Sequence, residues 1–273
     1  MDRYAVFGQP IKHSKSPMIH TLFAEQTDQQ LEYSKQEVSA EQFDVALERF
    51  FATGGKGLNC TVPLKELAWA RADKKSERAE LSQAVNTLML LKDGTLFGDN
   101  TDGAGLVRDL TVNHSLSLKG QKILLLGAGG ASRGILGPLL DQNPESIMVA
   151  NRTVERAVKL VSHFQHKGTV DSCSFSELEG KQFDLILNAT AASLTGDLPP
   201  LPAGILKSGG ACYDLAYGSE KTAFVLWGEE QRAVKSLDGI GMLAEQAAEA
   251  FELWRGVKPE TAAAIEQLEQ LRG

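Results

Sequence analysis

Three cysteines stand in 273 residues, at positions 60, 173 and 212, with no C-x-x-C among them. An odd, scattered set offers neither a disulfide framework nor a zinc-ligand spacing, and it suits a reducing cytoplasm. Basic residues are the minority: 28 Lys and Arg face 35 Asp and Glu, a formal net charge of −7. That balance argues against nucleic acid and anionic membrane as partners. No apolar run approaches the ~20 residues of a membrane span. An apolar segment (Tyr4-Ala5-Val6-Phe7) begins within a few residues of the start. No signal peptide is therefore expected, and the expected compartment is the cytoplasm. Internal repeats and low-complexity stretches are also missing. What remains, 42% hydrophobic and 23% charged, is an ordinary globular composition with room for two domains.

The most informative stretch runs from Lys122 to Thr153, KILLLGAGGASRGILGPLLDQNPESIMVANRT. Ile123 to Leu126 is apolar on both sides of the pleat, as in a central parallel strand covered by helices. It runs into Gly127-Ala128-Gly129-Gly130-Ala131. Glycines let the backbone turn sharply and approach a ligand, and the helix that follows aims unpaired N–H groups at whatever sits there. A pyrophosphate fits. Ser132 and Gly134 make the pattern a variant of G-x-G-x-x-G, so the context carries the reading. Ile135, Leu136, Leu139 and Leu140 form one helical face, and Ile147 to Ala150 a second strand.

At the tip of that second strand a NAD site usually has Asp or Glu for the ribose 2′-hydroxyl. Here stand Asn151, Arg152 and Thr153, then Arg156. Guanidinium groups four residues apart share a helical face and suit a 2′-phosphate. The cofactor inferred is NADP. Thr153 is the expected cap of the next helix, whose stripe is Val154, Ala157, Val158, Val161 and Phe164.

Before this unit, strands are expected at 3–8, 31–38 and 56–62, and helices at 16 onward, 40–52 and 64–80. A hairpin is expected over 84–91 and 95–98, then a helix bearing Leu106, Val107 and Leu110. After it, strands are expected at 183–189 and 210–214 and helices near 221–232 and 240–254, with Pro259 opening a last one. The sequence thus implies an α/β protein of two α/β domains flanking a cleft. The first domain, expected to bind substrate, spans 1–101. A Rossmann-like NADP-binding domain spans 102–237.

Polar residues gather at the expected strand ends of the first domain: Ser14 and Ser16, Asn59 and Thr61, Lys65, Asn86, Thr101 and Asp102. Such ends line one crevice in an open α/β sheet. Hydroxyls, amides, one ammonium and one carboxylate suit a small polyhydroxylated acid. Each has a plainer alternative: Ser16 and Asp102 as helix caps, Asn59 and Asn86 as partners of strand-end backbone, Lys65 as a surface lysine. His13 reads as a loop histidine. Gln246 falls on or beside the apolar face of its helix and needs a partner there. Tyr217 lies past a strand end, either reaching the cleft or packing with its hydroxyl at the surface.

Taken together, these motifs resemble the shikimate dehydrogenase family. The pieces are F-G-x-P-I-x-H-S-K-S-P at 7–17, G-K-G-x-N-x-T-V-P-x-K at 55–65, Q-A-V-N-T-L at 83–88 and G-D-N-T-D-G-x-G at 98–105. Further on come G-A-G-G-A-S-R-G at 127–134, N-R-T-x-x-R-A at 151–157, F-D-L-I-x-N-A-T at 183–190 and D-G-x-G-M-L-x-x-Q-A at 238–247. The resemblance implies NADPH-dependent, reversible reduction of 3-dehydroshikimate to shikimate by direct hydride transfer, within aromatic amino acid biosynthesis. It implies that the helices from 238 to 273 return to the first, substrate-binding domain, and it implies Lys65 and Asp102 as the acid/base pair. It implies substrate contacts from Ser14, Ser16, Asn59, Thr61, Lys65, Asn86, Asp102, Tyr217 and Gln246. Cofactor contacts would come from Gly127, Ala128, Gly129, Gly130, Ala131, Asn151, Arg152, Thr153 and Arg156, with Leu215 and Gly239 at the nicotinamide end. Glu77 matches a position near the cofactor, or is a solvated helical residue. No metal is expected, and the assembly is a monomer or a homodimer. Gln83 stands where the family usually has Gly, Cys60 where Val is commoner, Ala191 to Leu194 where Ser-x-Gly-Met is frequent, and Thr222-Ala223 where Thr-Pro is usual. Two alternatives are a quinate/shikimate paralogue with broader substrate or cofactor choice, and a non-catalytic NADP-binding sensor on the same fold.

Overall fold

The structure, a computed structural model, describes residues 1–272, the side chain of Leu194 excepted. The chain divides into two compact units. The first comprises Met1–Gly105 and Leu243–Leu268, the second Leu106–Met242 with the last residues from Glu269.

In the first unit a six-stranded mixed sheet runs in the order β2-β1-β3-β5-β6-β4. Its strands are β1 (Asp2–Gly8), β2 (Leu31–Glu37), β3 (Gly55–Cys60), β4 (Lys74–Lys75), β5 (Thr87–Leu90) and β6 (Leu96–Asp99). Strands β1, β2 and β3 are parallel, whereas β5 pairs antiparallel with both β3 and β6. Alternation along β1 splits the core into two layers. Ala5 and Phe7 join Phe43, Leu47 and Phe50 of α2 (Phe43–Ala52). Tyr4 and Val6 face the other way, with Ile11, Tyr33 and Trp254. Gly57 makes that second layer possible, because a Cβ there would lie 2.4 Å from Trp254 Nε1. That nitrogen donates to the Leu88 carbonyl at 3.0 Å.

The second unit holds a fully parallel sheet in the order β12-β11-β10-β7-β8-β9. Its strands are β7 (Lys122–Leu126), β8 (Ser146–Ala150), β9 (Val170–Cys173), β10 (Phe183–Asn188), β11 (Leu206–Asp214) and β12 (Lys235–Leu237). Counted along the chain from β7 this is 3-2-1-4-5-6, the order of a doubly wound dinucleotide fold, with its switch point between β7 and β10. Helices α6 (Gly130–Leu140), α7 (Val154–Phe164) and α8 (Ala223–Glu230) provide crossovers. Ile123 to Leu126 are fully buried, as the unbroken apolar run requires.

Several expectations are corrected. The stretch 64–80 is not one helix. It is α3 (Lys65–Arg71), then β4 pairing with β6, then α4 (Glu77–Ser82). Ser76 restarts the helix by accepting the Ala79 N–H at 3.2 Å. Ser16 does not cap α1 (Ser16–Gln26): it is the first helical residue, and Lys15 holds the cap position. Thr153 occupies the cap position of α7, but its hydroxyl accepts no backbone N–H. On α7, Val158 is 52% exposed, and Leu160 takes a buried place beside Ala157, Val161 and Phe164. Pro259 does not open the last helix. Thr261 first ties back to the buried Glu245, hydroxyl to Oε1 at 2.6 Å, and α10 (Ala262–Gln270) begins after it. Strands β9 and β12 were not expected. Among the described residues no helix is long and apolar enough to cross a membrane.

Candidate active site

The polar residues of the first unit gather where β1, β3 and β5 begin or end. The loops after β1 and β3 are stitched by two backbone bonds, Gln9 N–H to the Val62 carbonyl and Thr61 N–H to the Phe7 carbonyl, both 2.9 Å. Glycine is needed at position 8, because a Cβ there would lie 2.3 Å from Thr61 Cγ2. Ser14 and Ser16 follow on the first of these loops. Ser14 Oγ receives the Ser16 N–H and donates to Ser16 Oγ, each at 3.3 Å.

Lys65 opens α3, and its carbonyl receives the Val85 N–H at 2.9 Å, fixing the helix start beside the segment that leads into β5. Its Nζ donates to Asp102 Oδ2 at 2.5 Å, with the two side chains 24% and 11% exposed. A pair so little hydrated is more strongly coupled than a surface ion pair. Asp102 is the first residue of α5 (Asp102–Arg108). Its carboxylate is spent on Lys65 and on Asn86 Nδ2, which donates to Oδ1 at 2.8 Å, so the capping alternative is not its role. Its backbone N–H is held by Asn100 Oδ1 at 3.2 Å.

Asn59 and Asn86 are buried and richly bonded. Asn59 Nδ2 donates to the Asn86 carbonyl and to Thr87 Oγ1, both at 3.0 Å, and its Oδ1 accepts from the Tyr33 hydroxyl at 2.7 Å. Asn86 Nδ2 also faces Thr101 Oγ1 at 2.9 Å and Gln246 Oε1 at 3.3 Å. Gln246, on α9 (Ile240–Arg255), donates to the Leu243 carbonyl at 2.8 Å. Lys65, Asp102, Asn86, Asn59 and Gln246 are thus one continuous network, joining residues up to 160 positions apart. Sequence reasoning missed its supports. Arg78 grips the buried Asp99 with a fork, Nε–Oδ1 at 2.7 Å and Nη2–Oδ2 at 2.5 Å, and Ser76 adds a third bond. Burial alone would raise the Asp99 pKa, but the Arg78 guanidinium and these bonds hold it below its ordinary value. His13 is an exposed loop residue.

In the second unit, the glycine turn sits at the switch point. Gly127 has φ of +100°, and a Cβ on it would come within 3.0 Å of the Ala189 carbonyl oxygen at the end of β10. A Cβ on Gly129 or Gly130 would meet nothing in the chain. Gly129 stands at the cap of α6 and brings no capping side chain. An open turn with uncapped N–H groups fits a phosphate-bearing cofactor. Ser132, read in the sequence only as a departure from G-x-G-x-x-G, is fully buried and donates to the Gly127 carbonyl at 2.8 Å, fastening the turn from behind. At the tip of β8, Asn151 Nδ2 donates to the Thr153 carbonyl at 2.7 Å. Arg152 and Arg156 are exposed, and among the described residues neither has an ion-pair partner. Leu215 donates its N–H to the Asn188 carbonyl, and a Cβ on Gly239 would lie 2.2 Å from the Leu215 carbonyl oxygen. Tyr217 is 39% exposed. Glu77 belongs to the first unit, exposed in the opening turn of α4, where an acidic side chain favours the helix N-terminus.

Models of known protein families match segments of both units. Residues 6–88 match the family described as shikimate dehydrogenase substrate binding domain. Residues 109–195 match shikimate / quinate 5-dehydrogenase, and 239–269 match the shikimate 5'-dehydrogenase C-terminal domain. A protein of Methylococcus capsulatus named shikimate dehydrogenase (NADP(+)) is 60% identical over 271 residues, covering 99% of this chain and 97% of the relative. An Ael1 enzyme from Pseudomonas putida superposes with a TM-score of 0.92 at 47% identity, covering 98% of each chain. The shikimate 5-dehydrogenase of Thermus thermophilus, solved in complex with NADP(H) and shikimate, gives a TM-score of 0.89 at 33% identity over the full length of both chains. This chain, with its two α/β units and these three matched segments, belongs to the shikimate dehydrogenase family.

Proposed function

We propose that the chain catalyses the reversible, NADPH-dependent reduction of 3-dehydroshikimate to shikimate. The observation that carries this reading is the Lys65–Asp102 pair, set within a network of hydroxyls and amides. The first unit would hold the substrate and the second the cofactor. When bound, the reduced nicotinamide supplies a hydride to the ring carbon of the ketone. Lys65, as the ammonium, donates its proton to the carbonyl oxygen as negative charge develops there. Asp102 holds the Nζ in line and accepts from the substrate hydroxyl, and Asn86 fixes the Asp102 carboxylate. Ser14 and Ser16 bind the carboxylate of the acid, while Asn59, Thr61 and Gln246 take ring hydroxyls and Tyr217 adds a further contact. Proton transfer of this kind contributes ~10²–10⁴-fold to the rate.

On the second unit, Gly127 to Ala131 and the N-terminus of α6 would hold the pyrophosphate. Asn151, Arg152, Thr153 and Arg156 would hold the adenosine 2′-phosphate, and Leu215 and Gly239 would line the nicotinamide end. We place the enzyme in the cytoplasm, acting as a monomer or homodimer. The test is loss of NADPH absorbance on 3-dehydroshikimate, run beside quinate in the oxidising direction and beside NADH. Turnover with 3-dehydroshikimate and NADPH is expected. Binding of NADPH without turnover would instead favour a sensor, and faster turnover of quinate would favour the broader paralogue.

A further inference from the structure

Asp214, at the end of β11, is fully buried, as is Asn188 at the end of the neighbouring β10. Among the described residues no cation pairs with Asp214. Its charge is met by four neutral donors instead. Oδ1 accepts from Asn188 Nδ2 at 3.2 Å and from the Ala216 N–H at 3.1 Å. Oδ2 accepts from Ser193 Oγ at 2.5 Å and Thr222 Oγ1 at 2.7 Å. A buried carboxylate without a counter-ion is costly to keep, so the arrangement needs a reason beyond packing.

The sense of every bond is fixed. An ionised carboxylate can only accept, so both hydroxyl protons go to Asp214. Their oxygens are engaged as well: Thr222 Oγ1 accepts the Val225 N–H as the cap of α8, and Ser193 Oγ accepts from Asn188 Nδ2 at 2.9 Å. Asn188 Oδ1 in turn accepts from the Thr190 N–H and hydroxyl. An amide at position 214 would present an N–H₂ where both hydroxyls need an acceptor. Only a carboxylate satisfies all four donors. The four come from separate segments: the end of β10, the 190–195 turn, the chain after β11, and the start of α8. Leu215 lies in the middle, its N–H on the Asn188 carbonyl and its carbonyl against Gly239.

We propose that Asp214 is a positioning residue for the nicotinamide half of the cofactor, clamping the 190–195 turn and the Leu215 backbone into one rim without touching the ligand. This deepens the proposed function and rests on its placement of Leu215 and Gly239. The adenosine half, held at Arg152 and Arg156, lies on other loops and is independent of the clamp.

The experiment compares binding of NADPH and of 2′,5′-ADP, which carries the adenosine 2′-phosphate but no nicotinamide. Variants are Asp214→Asn, Ser193→Ala, Thr222→Val and Thr222→Ser, the milder ones guarding against a failure of Asp214→Asn to fold. Losing one bond to a buried charge is expected to weaken NADPH about tenfold. It should leave 2′,5′-ADP and shikimate unchanged, and Thr222→Ser should restore what Thr222→Val loses. The KM for NADPH should rise with little change in the KM for the acid. Equal weakening of NADPH and 2′,5′-ADP would mean a general loosening of the second unit and overturn the proposal, as would no change in either. If Arg152→Ala leaves 2′,5′-ADP binding intact, the cofactor reading itself fails, and the clamp proposal with it.

Discussion

His20, on α1, sits in a cage of rings in the first unit. Tyr33 stacks on it at 4.2 Å and 7°, Trp254 lies 5.3 Å away, and Phe23 and Phe251 each lie 6.1 Å away. The residue is 1% exposed, and among the described residues neither ring nitrogen has a hydrogen-bond partner. The neighbouring Asn59 side chain offsets a little of the burial. Burial therefore pushes the imidazole from 6.5 down to about 3. The sign follows. Above the unfolded value both states are neutral and the stability is intact. As pH falls below it, the unfolded chain takes up a proton that the folded chain refuses, and stability drains until the folded value is reached. The slope is about 1.4 kcal/mol per pH unit, so about 2 kcal/mol is gone at about pH 5. His20→Phe keeps a ring in the cage and removes the titration. Urea unfolding followed by tryptophan fluorescence, at about pH 7.5 and about pH 5, isolates the effect as a difference between the two proteins. Wild type should lose about 2 kcal/mol more than the variant over that interval. Two pH profiles that run parallel would refute the reasoning, as would an NMR titration of the His20 ring near its ordinary value in the folded state.

Lys65→Ala should lower kcat by ~10²–10⁴-fold while altering the KM for the acid far less; a large KM change with kcat intact would remove Lys65 from the proton transfer. Gln83 ends α4 in the left-handed region with φ of +50°, so Gln83→Gly should raise stability by about 1 kcal/mol in urea unfolding. Gly127→Ala forces a Cβ toward the Ala189 carbonyl at positive φ and should cost about 2 kcal/mol of stability together with NADPH affinity. Arg78→Met leaves Asp99 buried without its cation, and a loss of about 3 kcal/mol is expected in thermal or urea unfolding, with a steeper decline in acid for wild type than for Asp99→Asn.

What the sequence disclosed was what can be encoded within a dozen residues. The apolar run into Gly127, the stripe of Ile135, Leu136, Leu139 and Leu140, and the basic residues after β8 are local patterns whose meaning does not depend on distant partners. The turn at Lys92-Asp93-Gly94 is another, and β5 and β6 pair across it. Strands β9 and β12 were hidden because each is an edge strand of three or four residues without clean alternation. The break between α3 and α4 was hidden because no Gly or Pro marks it. The supports of the polar network lay further still from view. Tyr33 reaches Asn59 across 26 positions and Arg78 reaches Asp99 across 21; in the second unit, Asp214 likewise reaches Asn188 across 26. Nothing at either end of such a pair signals the other. The left-handed Gln83 is a case between the two: the departure from Gly was visible, but its cost could be read only from the backbone angle.

The bonds within the first unit also limit what its residues can offer a ligand. Asn59 has two N–H hydrogens and spends both on Asn86 and Thr87, so toward anything outside it can only accept, through the second lone pair of Oδ1. Asn86 Nδ2 faces three acceptors with two hydrogens, and the longest of the three, at 3.3 Å, goes to Gln246 Oε1. That oxygen is the most weakly claimed and the readiest to accept from a ligand. Asp102 is acceptor only while ionised. Acceptors thus come from Asn59, Asp102 and Gln246, and the charged donor is Lys65, with hydroxyls at Ser14, Ser16 and Thr61 able to turn either way. A ligand matched to this set must bring several donors of its own and an oxygen that welcomes a proton. Ring hydroxyls beside a ketone meet that demand, whereas a ligand bearing only carboxylates or phosphates would leave the amide oxygens facing acceptors.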